Sequence, residues 1–76
     1  MSRDEIVKDI ADRALGGYDP EVDGTDVHKV ARWFIAWYSS PDAPEPINHK
    51  EYQTVLFEEP DRVYRAIYSA LALSFA

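Results

Sequence analysis

The sequence predicts an all-α protein, one small helical bundle of about four helices over residues 1–76. Three observations carry that. Apolar residues recur at helical spacing over about residues 3–15, 26–39, 49–58 and 61–75. Cap residues or prolines stand at the starts of these stretches, and Gly, Pro and acidic residues fill the gaps. The 76 residues hold 46% hydrophobic content and ten aromatics (Trp 2, Tyr 5, Phe 3), which suits a folded core better than a disordered chain. A chain this short buries only about 60% of its unfolded surface, so its core needs large side chains.

Helix 1 begins after Ser2. Ser2 and Glu5 fit the S-x-x-E capping box, in which each side chain satisfies a backbone N–H of the other. Ile6, Val7, Ile10, Ala11, Ala14 and Leu15 form one apolar stripe. Asp4 with Lys8 and Asp9 with Arg13 stand at i,i+4 in the favourable order. Gly16-Gly17 is expected to end the helix by taking the left-handed conformation. Residues 18–24 (YDPEVDG) read as an acidic loop.

Helix 2 follows a cap at Thr25 or Asp26. Val27, Val30, Ala31, Trp33, Phe34, Ile35, Trp37 and Tyr38 spread over an arc of roughly 200°, about twice what a surface helix needs. Such a helix is either the central post of a bundle or carries a second face for a partner. Ser39–Pro46 holds three prolines in eight residues and reads as a stiff surface loop. Asn48 with Glu51 signals a third helix, with Tyr52, Val55, Leu56 and Phe57 inward; Thr54–Phe57 as a strand has no evident partner. Pro60 suits the first turn of helix 4. There Val63, Ile67, Ala70, Leu71 and Ser74 make one stripe and Tyr64, Tyr68, Leu71 and Phe75 a second.

Composition narrows function. The 14 acidic against 8 basic residues give a net charge of −6, which disfavours direct binding to nucleic acid or anionic membrane and favours a basic partner. With no cysteine, there is neither a disulfide framework nor a thiolate metal site, in keeping with a cytoplasmic setting. Met1–Ile10 is charged and lacks the apolar core of a signal peptide. No serine lies in a G-x-S-x-G context, and no glycine-rich loop precedes a helix. The gap between helices 2 and 3 is too long for a helix-turn-helix. His28 and His49 read as surface histidines rather than metal ligands. The expectation is therefore a protein that is not an enzyme and needs no cofactor.

Asp19-Pro-Glu21-Val-Asp23-Gly24 resembles the first half of an EF-hand loop, where alternating acids converge on calcium. The resemblance stops there, because the twelfth position is Val30 rather than glutamate. A weak calcium loop over 19–26 is thus a minor alternative.

The favoured expectation is an acidic protein-binding module. One sharper form is an inhibitor of the sort phages and mobile elements encode. Its carboxylates would occupy the basic nucleic-acid-binding surface of a host protein, as a DNA mimic does. The acidic candidates are Asp19, Glu21, Asp23 and Asp26, with Glu58, Glu59 and Asp61. Trp33, Trp37, Tyr64, Tyr68 and Phe75 are the aromatic candidates, of the types enriched at binding hot spots. The alternative is a structural protein that forms a homodimer through this aromatic face.

Overall fold

Helix α5 (Pro60–Ala72) is the element against which α1 (Arg3–Gly16), α3 (Val27–Tyr38) and α4 (Lys50–Glu58) all pack. We describe residues 1–75 from a computed structural model; Ala76 lies outside them. A one-turn helix α2 (Pro20–Asp23) precedes α3, and a 3-10 turn (Leu73–Phe75) follows α5. Among the described residues there is no strand, and no helix is long and apolar enough to cross a membrane. The Cα radius of gyration is 11.5 Å. A compact chain of this length is expected near 11 Å, roughly, so the helices close into one body.

The capping box at the start of α1 is formed. Glu5 N donates to Ser2 Oγ at 3.2 Å, and Ser2 N donates to Glu5 Oε1 at 3.4 Å. Ile6, Val7, Ile10, Ala11 and Ala14 are buried, but Leu15 is exposed because it stands over 90° from the centre of that stripe, roughly. Asp9 pairs with Arg13 at 3.0 Å as the spacing predicts. Lys8 turns instead to Asp12, at 3.1 Å, because Asp4 is drawn to Arg62 on α5. Gly17 is not left-handed. Its φ is −97°, and its N–H closes the helix onto the Arg13 and Ala14 carbonyls.

Asp26 caps α3, accepting from Lys29 N at 3.2 Å. The buried face of α3 is Val30, Ala31, Phe34 and Tyr38. Its wide apolar arc is not filled internally: Trp33 remains 57% exposed. The central post is α5, whose Val63, Ile67 and Leu71 are fully enclosed.

Four further expectations are corrected. His49, not Asn48, occupies the cap of α4, without a side-chain cap bond. Phe57 is 87% exposed, since it points about 140° away from Tyr52 on a helix whose inner face is Tyr52, Val55 and Leu56. The last helix ends at Ala72, and Ser74 is exposed in the 3-10 turn that follows. The proline-rich loop is also more than surface. Ala43 and Ile47 drop into the core, with Ile47 wholly inaccessible. Ile47 is the first large apolar residue after Tyr38, so burying it is how this segment shares in the core.

Candidate protein-binding surface

The acidic loop is folded onto its own backbone. Asp19 caps α2, where Glu21 N donates to Asp19 Oδ1 at 3.0 Å. Asp23 reaches back, accepting from Asp19 N through Oδ2 at 2.9 Å. The Tyr18 hydroxyl donates to the Gly24 carbonyl at 2.6 Å and closes the loop. Burial pushes the Tyr18 hydroxyl above its ordinary pKa, with the charge of Asp23 adding to the effect. Gly24 stands at φ 91°, ψ 173°, a region that only glycine enters easily, and this turns the chain from α2 into α3.

These contacts use one oxygen each of Asp19, Asp23 and Asp26. A carboxylate has about four acceptor sites, so the remaining oxygens can still receive donors. No cation among the described residues lies within ion-pairing distance of Asp19, Glu21, Asp23 or Asp26. Among the described residues, no three His, Asp or Glu side chains are gathered as a metal ion would need.

The second acidic cluster is arranged differently. Arg3 bonds both Glu58 and Glu59, the latter at 2.9 Å, and Arg62 bonds Asp4 and Glu59. Hydrogen bonding to Arg3, then to Arg62, holds the Glu59 carboxyl below its usual range. Glu58 and Glu59 therefore fasten the start of α1 to the α4–α5 junction. Asp61 stands apart from that network, at a groove with His28, Arg32 and Tyr64.

The aromatic candidates divide among three places. Trp33 and Trp37 lie one turn apart on α3, in a tilted contact with ring centroids at 5.3 Å. Trp37 is half-buried and leans on Phe34 and Tyr38, which leaves Trp33 as the more open ring. Tyr64 and Tyr68 lie with centroids at 6.0 Å beside the opposite flank of α3. His28 meets Tyr64 edge-on at 5.6 Å and hydrogen-bonds its hydroxyl through Nδ1. Five residues along a helix separate His28 from Trp33 by about 140°, so the two pairs do not form one face. Phe75 packs edge-on against Tyr18 at 6.2 Å, near the acidic loop.

One flank of α3 thus joins the two predicted residue classes. Trp33 lines a groove of about 550 Å³ with Asp23, Gly24, Thr25, Asp26, Lys29 and Val30. It also lines a second groove of about 440 Å³, with Trp37, Asp23, Arg13, Pro44 and Glu45. Trp33 and Asp23 belong to both. Sequence reasoning missed Glu45 and Lys29 as members of this surface. Glu45 arrives from the proline-rich loop, and no local pattern announces it. Lys29 was legible only through helical spacing, one turn before Trp33.

The fold defines a small all-α bundle. Comparison with protein-family models, with curated proteins and with solved structures gives no match.

Proposed function

We propose that this chain is a small acidic, non-enzymatic module that binds a protein partner through that partner's basic, nucleic-acid-binding surface. In its sharpest form it is an inhibitor of the kind phages or mobile elements direct at a host protein in the cytoplasm. One observation carries the reading: Asp23 and Asp26, without an ion pair among the described residues, flank the exposed indole of Trp33 on one side of the bundle. Unpaired carboxylates supply long-range attraction to a basic surface. A large exposed aromatic supplies the short-range contact that anchors an interface.

The acidic contacts are Asp19, Glu21, Asp23 and Asp26, with Asp61 outside the ion-pair network as a further one. Glu58 and Glu59 contribute less, since part of their charge is taken up by Arg3 and Arg62. The test is capture of source-cell proteins on the immobilised chain, followed by washing at rising salt and challenge with duplex DNA. The expected partner is a basic nucleic-acid-binding protein that is released by salt and displaced by DNA. A partner that DNA leaves in place would overturn the DNA-competing form of the reading.

A second reading is self-association, supported by the exposure of Tyr68 and Phe57. It predicts a solution mass that rises with concentration.

A further inference from the structure

The grooves around Trp33 offer a more specific fit than negative charge alone. We infer that Trp33, with Asp23 and Asp26, forms a receptor for an arginine side chain presented on an exposed segment of a partner protein; this rests on the proposed function and names its anchoring contact.

The argument is charge and shape complementarity. Trp33 offers an indole that is 57% exposed, held in place by a tilted contact with Trp37 at 5.3 Å between ring centroids. An indole face attracts cations through its quadrupole, and tryptophan is the strongest of the aromatic side chains in this respect. Asp23 and Asp26 edge the same groove, each with oxygen lone pairs left after accepting one backbone N–H, Asp23 from Asp19 and Asp26 from Lys29 as the cap of α3. Both carboxylates are fixed by backbone N–H groups, so they are ordered before any ligand arrives.

Guanidinium suits this setting better than ammonium. It is planar, stacks flat on an indole, gives up hydration readily, and presents donors along its edge to carboxylates. A compact, strongly hydrated ammonium gains less from the ring. Lys29 edges the groove and Arg13 the neighbouring one. Arg13 is committed to Asp9 at 3.0 Å. Lys29 is the local competitor, which makes the arginine preference a contest the chain itself has staged.

The test is NMR titration of the full chain labelled with ¹⁵N. Its two tryptophans give two indole N–H resonances, assigned with Trp33→Phe and Trp37→Phe. The probes are the peptide Gly-Arg-Gly-Arg-Gly and its lysine and citrulline counterparts. The expected result is a saturable shift of the Trp33 indole and the Asp26–Lys29 amides with the arginine peptide. Lysine should bind more weakly, and neutral citrulline should leave these signals in place. Trp33→Ala should reduce arginine affinity about fivefold or more. Asp23→Asn with Asp26→Asn should reduce it similarly while keeping the Asp26 cap and the acceptor for Asp19 N, since an asparagine side-chain oxygen accepts these N–H groups as aspartate does. Unchanged core resonances will report that each variant remains folded.

Equal responses to arginine and lysine, shifts centred elsewhere, or no shift would overturn the inference. So would a Trp33 shift that follows protein concentration without peptide, because the occupant would then be a second copy. The two ideas fail separately. Salt-sensitive, DNA-displaced capture without an arginine response removes only the receptor. An arginine response without such a partner removes only the nucleic-acid-surface reading.

Discussion

The side-chain amide of Gln53 donates to the carbonyl of Ile47 at 2.7 Å. The same nitrogen donates to the Tyr38 carbonyl at 2.8 Å. One side chain of α4 therefore fixes both ends of the proline-rich segment, the end of α3 and the residue that enters the core. Gln53→Leu should leave those part-buried carbonyls without this donor and cost about 1–3 kcal/mol. Ile47→Ala should cost about 2–5 kcal/mol through the cavity it leaves. Urea unfolding of each variant checks both. A loss below about 0.5 kcal/mol for Ile47→Ala would mean that the segment is not part of the cooperative core.

Acid should weaken the fold through Asp9. Its carboxyl is held below the ordinary value of 3.8, chiefly by the Tyr52 hydroxyl, with Arg13 adding to the effect against the opposing pull of desolvation. A carboxyl whose folded pKa is depressed binds its proton more readily in the unfolded chain. Its contribution is therefore complete above the unfolded pKa and is lost as pH falls through the folded one. Glu59, lowered by Arg3 and Arg62, acts in the same direction. Urea midpoints should hold steady from about pH 6 to about pH 5 and fall below about pH 4. Asp9→Asn should be less stable at neutral pH and show a shallower acid limb. An unchanged limb would show that Asp9 has the same pKa in both states.

Two glycines should respond to alanine with opposite signs. An added Cβ has open space at both Gly16 and Gly24, so only the backbone decides. Gly16 is helical, and Gly16→Ala should stabilise by about 0.4–1 kcal/mol. At φ 91°, Gly24→Ala should cost about 1–3 kcal/mol. Thermal melts of the two variants suffice, and a matching sign would refute the backbone argument.

Adjacent residues on α4 should differ widely. Leu56 is buried and Phe57 is exposed. Leu56→Ala should cost about 2–5 kcal/mol, whereas Phe57→Ser should stay within about 0.5 kcal/mol. Should Phe57→Ser cost as much in dilute solution, this helix would be rotated from the orientation described. Should its cost appear only at high concentration, Phe57 would be covered by a second copy.

Much of this fold was legible because its causes are local. The Ser2–Glu5 box, a cap at Thr25 or Asp26, and Pro60 at the start of α5 each depend on neighbours within one turn; the structure uses Asp26. The inner faces of α1 and α5 follow from spacing, except that Leu15 and Ser74, on the same stripes, are exposed. Features set by distant partners were not legible. Asp4 pairs with Arg62 rather than Lys8, and Glu58 with Arg3, because α1 and α5 meet in space. A helical arc also cannot say which flank finds a neighbour. Ile35 and His28 lie toward α5, while Trp33 and Trp37 lie away from it, so the aromatic face expected of α3 and α5 together divides. Ile47 was hidden among prolines, where no period exists to mark it as interior.

The backbone N–H groups that hold the side chains of Asp19 and Asp23 have a consequence for affinity. Flexible acidic loops must surrender conformational freedom when they dock, and that loss is subtracted from the binding energy. Here the backbone has already fixed the carboxylates before the encounter. Under the proposed binding, a basic partner would meet carboxylates already in place, and more of the attraction between them would survive as affinity.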